Sequence, residues 1–418
     1  MSNRWYQLSV LMTCASTLAI IGTVASADAE GPQQYALTEI IALALERNPA
    51  VAGAQGAVRQ SLGQQVTAGA YLNPSISAVA GRGSIRDPST GVSITERTVT
   101  VEQPLEWQGK RRARQQAADA GAAGANAAVD ETRLNVIAET KVAFYHVLFA
   151  QREVELAGQN LTMVEEVLRT VKARVAAGDA TVFETMKATV EVQKATKDVA
   201  RAQNALVVVR AKLDMVTSGT LGRQFSIQGD FEPPQQGLDL EMLSARAMEQ
   251  HPTLRRLTKL VEQAEFSTTL ERESRVPNVT VQGNYHREAG DESVTAGLSV
   301  PLPLWYRRQG EIETALGARH RAEAERLRAQ NEISQAITQH VQDVRTATEQ
   351  LQVFETGLLK QAEQTLRVAR LSFKQGVASL LDLLDSQRVY RQTLLEYVQA
   401  RADLSIALAR LERAVGGI

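Results

Sequence analysis

The composition of this 418-residue chain favours long packed helices over thick globular cores. Hydrophobic residues make up 44% of it and aromatic residues 5%, so the apolar content is mostly small and aliphatic. Lysine and arginine number 46 against 47 acidic residues, which argues against a general nucleic-acid binder. The single cysteine, Cys14, excludes a disulfide framework and a multi-thiolate metal site.

Residues 1–27 have the pattern of a signal peptide. Arg4 provides the positive start, a nearly uncharged apolar run follows, and Ala25-Ser26-Ala27 provides the small residues that signal peptidase recognises. The alternative, acylation at Cys14, would need a poor recognition sequence. No later run of about 18 apolar residues occurs, so we expect no spanning helix. Such an exported protein is expected to be periplasmic, secreted or a membrane β-barrel.

The mature chain is predicted to contain two repeats. Asn48-Pro49 recurs as His251-Pro252, and Pro74 recurs as Pro277, each 203 residues later. We therefore predict a first repeat, a linker and a second repeat over residues 28–216, 217–240 and 241–418.

Each repeat is predicted to contain one pair of strands. Residues 279–285 and 294–300 alternate apolar with small polar side chains. Residues 74–81 and 94–105 are a weaker counterpart, joined by a turn at residues 87–91. Ten-residue strands with one apolar face suit an outer membrane, but a hairpin on a soluble sheet has the same pattern.

Each repeat is also predicted to contain a long helical hairpin. Residues 107–178 and 304–376 carry heptad seams that end at Gly178 and Gly376, and residues 182–216 and 379–415 return from them. Each long arm, as helix, would measure roughly 105 Å, and each return arm spans half of that length. We expect residues 241–275 to complete the first return arm and residues 36–72 the second. A packed helical bundle is the alternative.

Four strands cannot close a membrane barrel, because an open sheet edge would face lipid. A cyclic trimer would supply twelve strands and twelve helical strings around a water-filled lumen. The predicted fold class is mainly α with a small β part. It combines a long α-helical hairpin barrel with a transmembrane β-barrel, four strands per chain, two internal repeats and a homotrimeric assembly.

These features together resemble the TolC family of outer-membrane efflux channels. The most specific match is GVASLLDLLD, from Gly376 to Asp385, which is similar to the family's helical tip and acidic gate. The stretch from Gly178 to Glu184 is a weaker counterpart. Residues 301–312, PLPLWYRRQGEI, and the Asn48-Pro49 pair are most similar to the CzcC-type heavy-metal branch, which serves cobalt-zinc-cadmium or nickel-cobalt resistance.

The resemblance implies a non-enzymatic channel, without cofactors, in the outer membrane of a Gram-negative bacterium and with a large periplasmic part. The implied partners are further copies of this chain, a periplasmic adaptor (a membrane fusion protein), an inner-membrane resistance-nodulation-division pump and outer-membrane lipid. The implied cargo is divalent heavy-metal cations. Drugs or secreted polypeptides are alternative cargoes, and a pore-less periplasmic coiled-coil scaffold is the alternative function.

The predicted adaptor-docking tips consist of four small residues. Gly178 and Gly376 permit the sharp reversals, and Thr181 and Ser379 can cap the helices that follow. The small side chains would let an adaptor hairpin approach closely. Turn chemistry without a partner is the alternative interpretation.

The predicted periplasmic gate consists of three carboxylates, Glu184, Asp382 and Asp385. Asp382 and Asp385 lie three residues apart, so on a helix they point to one side. Threefold symmetry would arrange them in stacked rings that attract cations and raise some carboxylate pKa values. Many relatives carry near this tip an arginine that ties the gate shut. Ala378 stands there in this chain, which puts that ion pair in doubt.

The histidines and one basic run are predicted to serve no metal or nucleic-acid site. The five histidines show no paired ligand spacing, so no resident metal is expected. The run Lys110-Arg111-Arg112-Ala113-Arg114 is predicted to be an exposed helix start at the periplasmic rim, near lipid phosphates.

Overall fold

The computed structural model describes residues 34–84, 93–235 and 237–417. The predicted signal peptide and the predicted turn at residues 87–91 lie outside these ranges. The strands are β1 (Gln34–Ala36), β2 (Ser75–Ser84), β3 (Ser93–Leu105), β4 (Ser226–Gln228), β5 (Val279–Glu288) and β6 (Asp291–Ser299). The helices are α1 (Leu37–Arg47), α2 (Pro49–Gly69), α3 (Gln108–Ala176), α4 (Val182–Val216), α5 (Leu240–Gln250), α6 (Pro252–Glu273), α7 (Gln309–Val353), α8 (Leu359–Lys374) and α9 (Leu380–Val415).

The long helices form where proline is absent from the sequence. The helix α3 runs for 69 residues, and α4 has the predicted bounds. The second long arm differs from the prediction in two ways. It begins at Gln309 and not at residue 304, and a π-helical turn, Phe354–Leu358, separates α7 from α8. Among the described helices, none is both long and apolar enough to cross a membrane.

Two helical stretches that were predicted to be continuous are each broken before a proline. Asn48 separates α1 from α2, and His251 separates α5 from α6; both residues are extended, because a following proline disfavours the helical conformation. Both side chains then cap the new helix. Asn48 Oδ1 accepts from the N–H of Ala50 (2.9 Å), and His251 Nδ1 accepts from the N–H of Thr253 (3.2 Å).

The half-length helices stack in the opposite order to the predicted one. The amide of Asn48, at the start of α2, donates to the carbonyl of Val216 at the end of α4 (2.9 Å). Gly416, just after α9, packs against His251 at the start of α6. Helix α2 therefore completes the first return arm, and helix α6, after the linker, completes the second. The prediction was wrong because it assumed that helices consecutive in sequence stack end to end.

The linker crosses α3 and forms a large apolar core there. Phe225, Ile227 and Phe231 pack with Phe144 and Tyr145 of α3 and with residues of α4 and α9. β4, within the linker, pairs in parallel with β1, a pairing that was not predicted. This path carries the chain from the α4 side of α3 to α7 and α9, which explains the stacking order.

Strands β2, β3, β5 and β6 form one antiparallel sheet, in the order β2-β3-β5-β6. The register places apolar side chains in rows across one face, including the pairs Ile76 with Val101, Tyr285 with Val294 and Val281 with Leu298. This apolar face has no cover within the chain: Val294 is 82% exposed and Leu298 is 71% exposed. The predicted alternation is confirmed, and both outer strands, β2 and β6, are unpaired at the sheet edges.

Candidate functional site

Both helical hairpins reverse through the same backbone turn. Gly178 and Gly376 adopt positive φ angles of 83° and 75°, a region where a side chain is strained. The N–H of the residue after each glycine donates to the carbonyl five residues earlier. Asp179 donates to Arg174 (2.8 Å), and Val377 donates to Ser372 (2.9 Å). This is the Schellman arrangement, which satisfies carbonyls at the end of a helix.

The helices that leave the two tips are capped differently. Ser379 and Asp382 form a reciprocal capping box: Asp382 N–H donates to Ser379 Oγ (3.2 Å), and Ser379 N–H donates to Asp382 Oδ2 (3.0 Å). Thr181 holds the equivalent position before α4, but its side chain makes no capping hydrogen bond. The expected capping is therefore present at the second tip and absent from the first.

The three predicted gate carboxylates have different surroundings. Hydrogen bonds from the side chain and backbone of Ser379 lower the pKa of Asp382. Asp385 forms an ion pair with Arg388 on the same helix. Glu184 holds the position in α4 that Asp382 holds in α9, and no described side chain bonds to its carboxylate. The single chain thus keeps Asp382 ionised.

The two tips lie side by side and share one apolar cluster. It contains Val171 of α3, Ala188 of α4, Phe373 of α8 and Leu383 of α9. The guanidinium of Arg174 lies over the ring of Phe373, 5.1 Å from its centroid. The structure therefore brings the predicted residues of both hairpins to one end of the molecule, as the repeat implied.

An open groove runs between α4 and α9 just above the tips, with a volume of about 490 Å³. Its floor includes Phe183, Met186 and Leu381, each 62% exposed, and Asp385 and Arg388 lie at its rim. This groove was not predicted from the sequence. The spacing of Phe183, Met186 and Val190 was the available signal, because it marks a second apolar stripe beside the heptad seam.

An ion pair between α4 and α9 joins the two hairpins just above the groove. Arg391 of α9 donates to Asp198 of α4 at 2.8 Å, and both side chains are about a third exposed. No sequence pattern indicated this pair, since its members are 193 residues apart. It connects α4 and α9 directly above the tips.

The basic run at the start of α3 is half-buried except for the exposed Arg112, which corrects the prediction of a wholly exposed helix start. Arg111 donates to the carbonyl of Gly69 (2.6 Å), and Arg114 donates to the carbonyl of Ala68 (3.0 Å). These arginines satisfy the last carbonyls of α2, which have no partner within that helix. Arg114 also forms a salt bridge with Glu106. Arg112 is exposed and has no described partner.

The described part of the chain contains no group of three or more histidine, cysteine, aspartate or glutamate residues that could hold a metal ion. His251 is buried beneath the end of α9, and burial lowers its pKa. Its role is therefore that of a neutral helix cap.

The family model for "Outer membrane efflux protein" matches residues 40–218 and 243–417 of this chain. The cobalt-zinc-cadmium resistance protein CzcC of Cupriavidus metallidurans is 25% identical over 329 residues, which cover 78% of each chain. The nickel-cobalt-cadmium resistance protein NccC of Alcaligenes xylosoxydans xylosoxydans is 26% identical over 340 residues, 78% of this chain and 74% of the relative. Among solved structures, CusC superposes with a TM-score of 0.78 at 14% identity, covering 91% of this chain and 92% of its own.

Proposed function

Because the chain belongs to the family of outer membrane efflux proteins, we propose that it exports divalent heavy-metal cations across the outer membrane. The chain is an outer-membrane efflux channel with a large periplasmic helical part, and it is not an enzyme. Channels of this family are trimers that work with a periplasmic adaptor and an inner-membrane resistance-nodulation-division pump.

The cargo assignment depends on one observation. Two relatives named for cobalt, zinc, cadmium or nickel resistance match this chain over 78% of its length. At 25–26% identity the match supports the cargo class and leaves the particular ion open. Drugs or secreted polypeptides are the alternative cargo.

We further propose that the tips carry out docking and gating. Gly178, Thr181, Gly376 and Ser379 would contact the adaptor, and small side chains there allow a close approach. Glu184, Asp382 and Asp385 would form the gate, with each carboxylate repeated three times around the axis. The position of both tips at one end of the molecule, around a shared apolar cluster, supports this role. The division into repeats at residues 28–216 and 241–418 also stays a prediction.

A strain that lacks only this protein tests the cargo. We expect reduced growth and raised cell-associated metal on a zinc, cobalt, cadmium and nickel series, and restoration when the gene is returned. A drug panel serves as the matched comparison. Unchanged metal tolerance together with lost drug tolerance would contradict the proposal and transfer the cargo to drugs.

A further inference from the structure

A row of arginines crosses the apolar face of the sheet at the end farthest from the helices. Arg97 of β3 lies directly opposite Arg287 of β5, and residues directly opposite each other share a face. Arg82 of β2 lies one row farther out on the same face, opposite Thr95. We propose that this arginine row, Arg82, Arg97 and Arg287, binds the phosphate groups of lipid A, the glycolipid of the outer leaflet of the outer membrane.

The described part of the chain supplies too little negative charge to neutralise the arginine row. Arg287 pairs with Glu292 (3.3 Å), whereas the side chains of Arg82 and Arg97 have no partner among the described residues. Like charges directly opposite each other on neighbouring strands are destabilising. An anion that contacts both Arg97 and Arg287 would remove this cost. Phosphate suits that position, because it accepts paired hydrogen bonds from a guanidinium group.

The sheet separates its charges by sign at this end. Glu96 of β3 lies opposite Glu288 of β5. Because side chains alternate between the two faces along a strand, these carboxylates lie on the polar face, and their neighbours Arg97 and Arg287 lie on the apolar face. Positive charge therefore borders the surface that would meet lipid, and negative charge borders the other surface.

The length of the strands places the arginine row near the edge of the membrane. The Leu105–Val279 pair lies at the helical end of the apolar face, eight residues from the Arg97–Arg287 pair. Eight residues correspond to roughly 27 Å of strand and roughly 20 Å of height at a tilt of about 40°. The apolar band of an outer-membrane barrel is about 25 Å tall, and arginine side chains can extend over the remaining distance to the headgroups.

The energetics of arginine in a barrel select the same position. On a lipid-facing surface, arginine is costly at the midplane of the bilayer and nearly neutral at the interfaces. The long helices continue from the opposite end of the sheet into the periplasm, so the interface at the arginine row is that of the outer leaflet. The phosphates of lipid A lie in this interface, where they complement the three guanidinium groups.

Lipid binding by the full-chain trimer tests the proposal. Trimers in a neutral detergent are titrated with bisphosphorylated lipid A, and the bound lipid is counted by native mass spectrometry. We expect Arg97→Gln/Arg287→Gln to bind lipid A with roughly 25-fold lower affinity, because each arginine beside an anionic lipid contributes about fivefold. Arg112→Gln is the matched control, since Arg112 is also exposed but lies at the helical end of the sheet. Its affinity should equal that of the wild type.

A thermal unfolding measurement without lipid shows whether the double variant is folded. Its midpoint should be no lower than that of the wild type, because the repulsion between Arg97 and Arg287 is removed. Addition of lipid A should then raise the midpoint of the wild type more than that of the double variant.

Three results would overturn the proposal. Equal affinity of the folded double variant and the wild type would show that the arginine row is not the lipid site. Equal affinity of the wild type for lipid A and for its dephosphorylated form would show that phosphate is not recognised. Displacement of lipid A by an equal concentration of inorganic phosphate would identify a site for free phosphate.

The inference rests on the outer-membrane location of the proposed channel and not on its cargo. Unchanged metal tolerance in the deletion strain would contradict the cargo and leave the lipid site standing. Conversely, a double variant that binds lipid A as the wild type does would end the lipid proposal while the channel and its cargo remain.

Discussion

His251 and Asn48 show how one local task can be performed by two chemically different residues. Each precedes a proline, adopts an extended backbone and accepts a hydrogen bond from the N–H two residues later. Asparagine performs this task at any pH, but histidine performs it only while Nδ1 is unprotonated. In the second repeat, the helix cap that begins α6 is therefore sensitive to acid.

Acidification should destabilise the protein through His251. Burial lowers its pKa, so the unfolded chain takes up the proton first. The contribution of neutral His251 to the free energy of unfolding is fully present above about pH 6.5, the unperturbed pKa of histidine. It is lost as the pH falls through the lower pKa that His251 has in the folded chain. We expect His251→Asn to lose less thermal stability than the wild type between neutral and mildly acidic pH. The exposed His320→Asn serves as the control, and equal losses in wild type and His251→Asn would contradict this account.

Gln387 is a buried polar residue in the seam of α9. It is 3% exposed, and neither its amide nitrogen nor its oxygen has a hydrogen-bond partner among the described residues. A buried unpaired polar group costs about 1–3 kcal/mol. We therefore expect Gln387→Leu to raise the midpoint of thermal unfolding, whereas the exposed Gln392→Leu should leave it nearly unchanged. A lower midpoint for Gln387→Leu would indicate that the amide is satisfied in the trimer.

At the scale of helices, the Arg391–Asp198 pair is a direct polar link between α9 and α4 above the tips. A partly exposed pair of this kind contributes about 0.2–1 kcal/mol. That energy is small for folding, but 1 kcal/mol changes any two-state equilibrium by about fivefold.

Breaking this pair should favour opening of the channel. We expect Arg391→Ala to increase the open probability in planar bilayers by up to about fivefold per protomer, the factor that 1 kcal/mol represents. The exchange Asp198→Arg/Arg391→Asp should restore the wild-type value. Arg367→Ala is the control, because Arg367 pairs with Glu363 within α8. An unchanged open probability in Arg391→Ala would show that the pair does not restrain the tips.

At the scale of the whole trimer, the gate carboxylates would act through symmetry. Asp382→Asn/Asp385→Asn should reduce block of the pore by multivalent cations, because six negative charges would leave the constriction. Asparagine is preferable to alanine at position 382, since it keeps an acceptor for the capping box. Ser379→Ala tests the cap without removing charge. If block is the same in the double variant and the wild type, these carboxylates do not line the constriction.

Much of the molecule was predictable from periodicity. The steps of three, four and seven residues identified both hairpins, and α4 has the predicted bounds. The alternation of apolar and polar side chains, with a period of two residues, identified all four strands of the sheet. The candidate tip residues were recognisable because the same turn occurs twice, 198 residues apart.

The apolar groove, the Arg391–Asp198 pair and the carbonyl contacts of Arg111 and Arg114 were not predictable. Each joins residues from separate helices, and nothing in the local spacing records which helices become neighbours. The charge pattern of residues 110–114 is the same whether the guanidinium groups meet solvent or the end of α2.

Local spacing thus decided which segments are helices, strands and turns, because these depend on residues a few positions apart. The stacking of α2 on α4 and of α6 on α9 was decided by the folded molecule alone. The linker crosses α3 and brings Phe231 and Glu232 against α3 and α9, where Glu232 N–H donates to Ser405 (2.9 Å) and Tyr145 donates to Glu232 (2.8 Å). That choice depends on contacts between residues 87 to 173 positions apart, and so it could not be found in any single stretch of sequence.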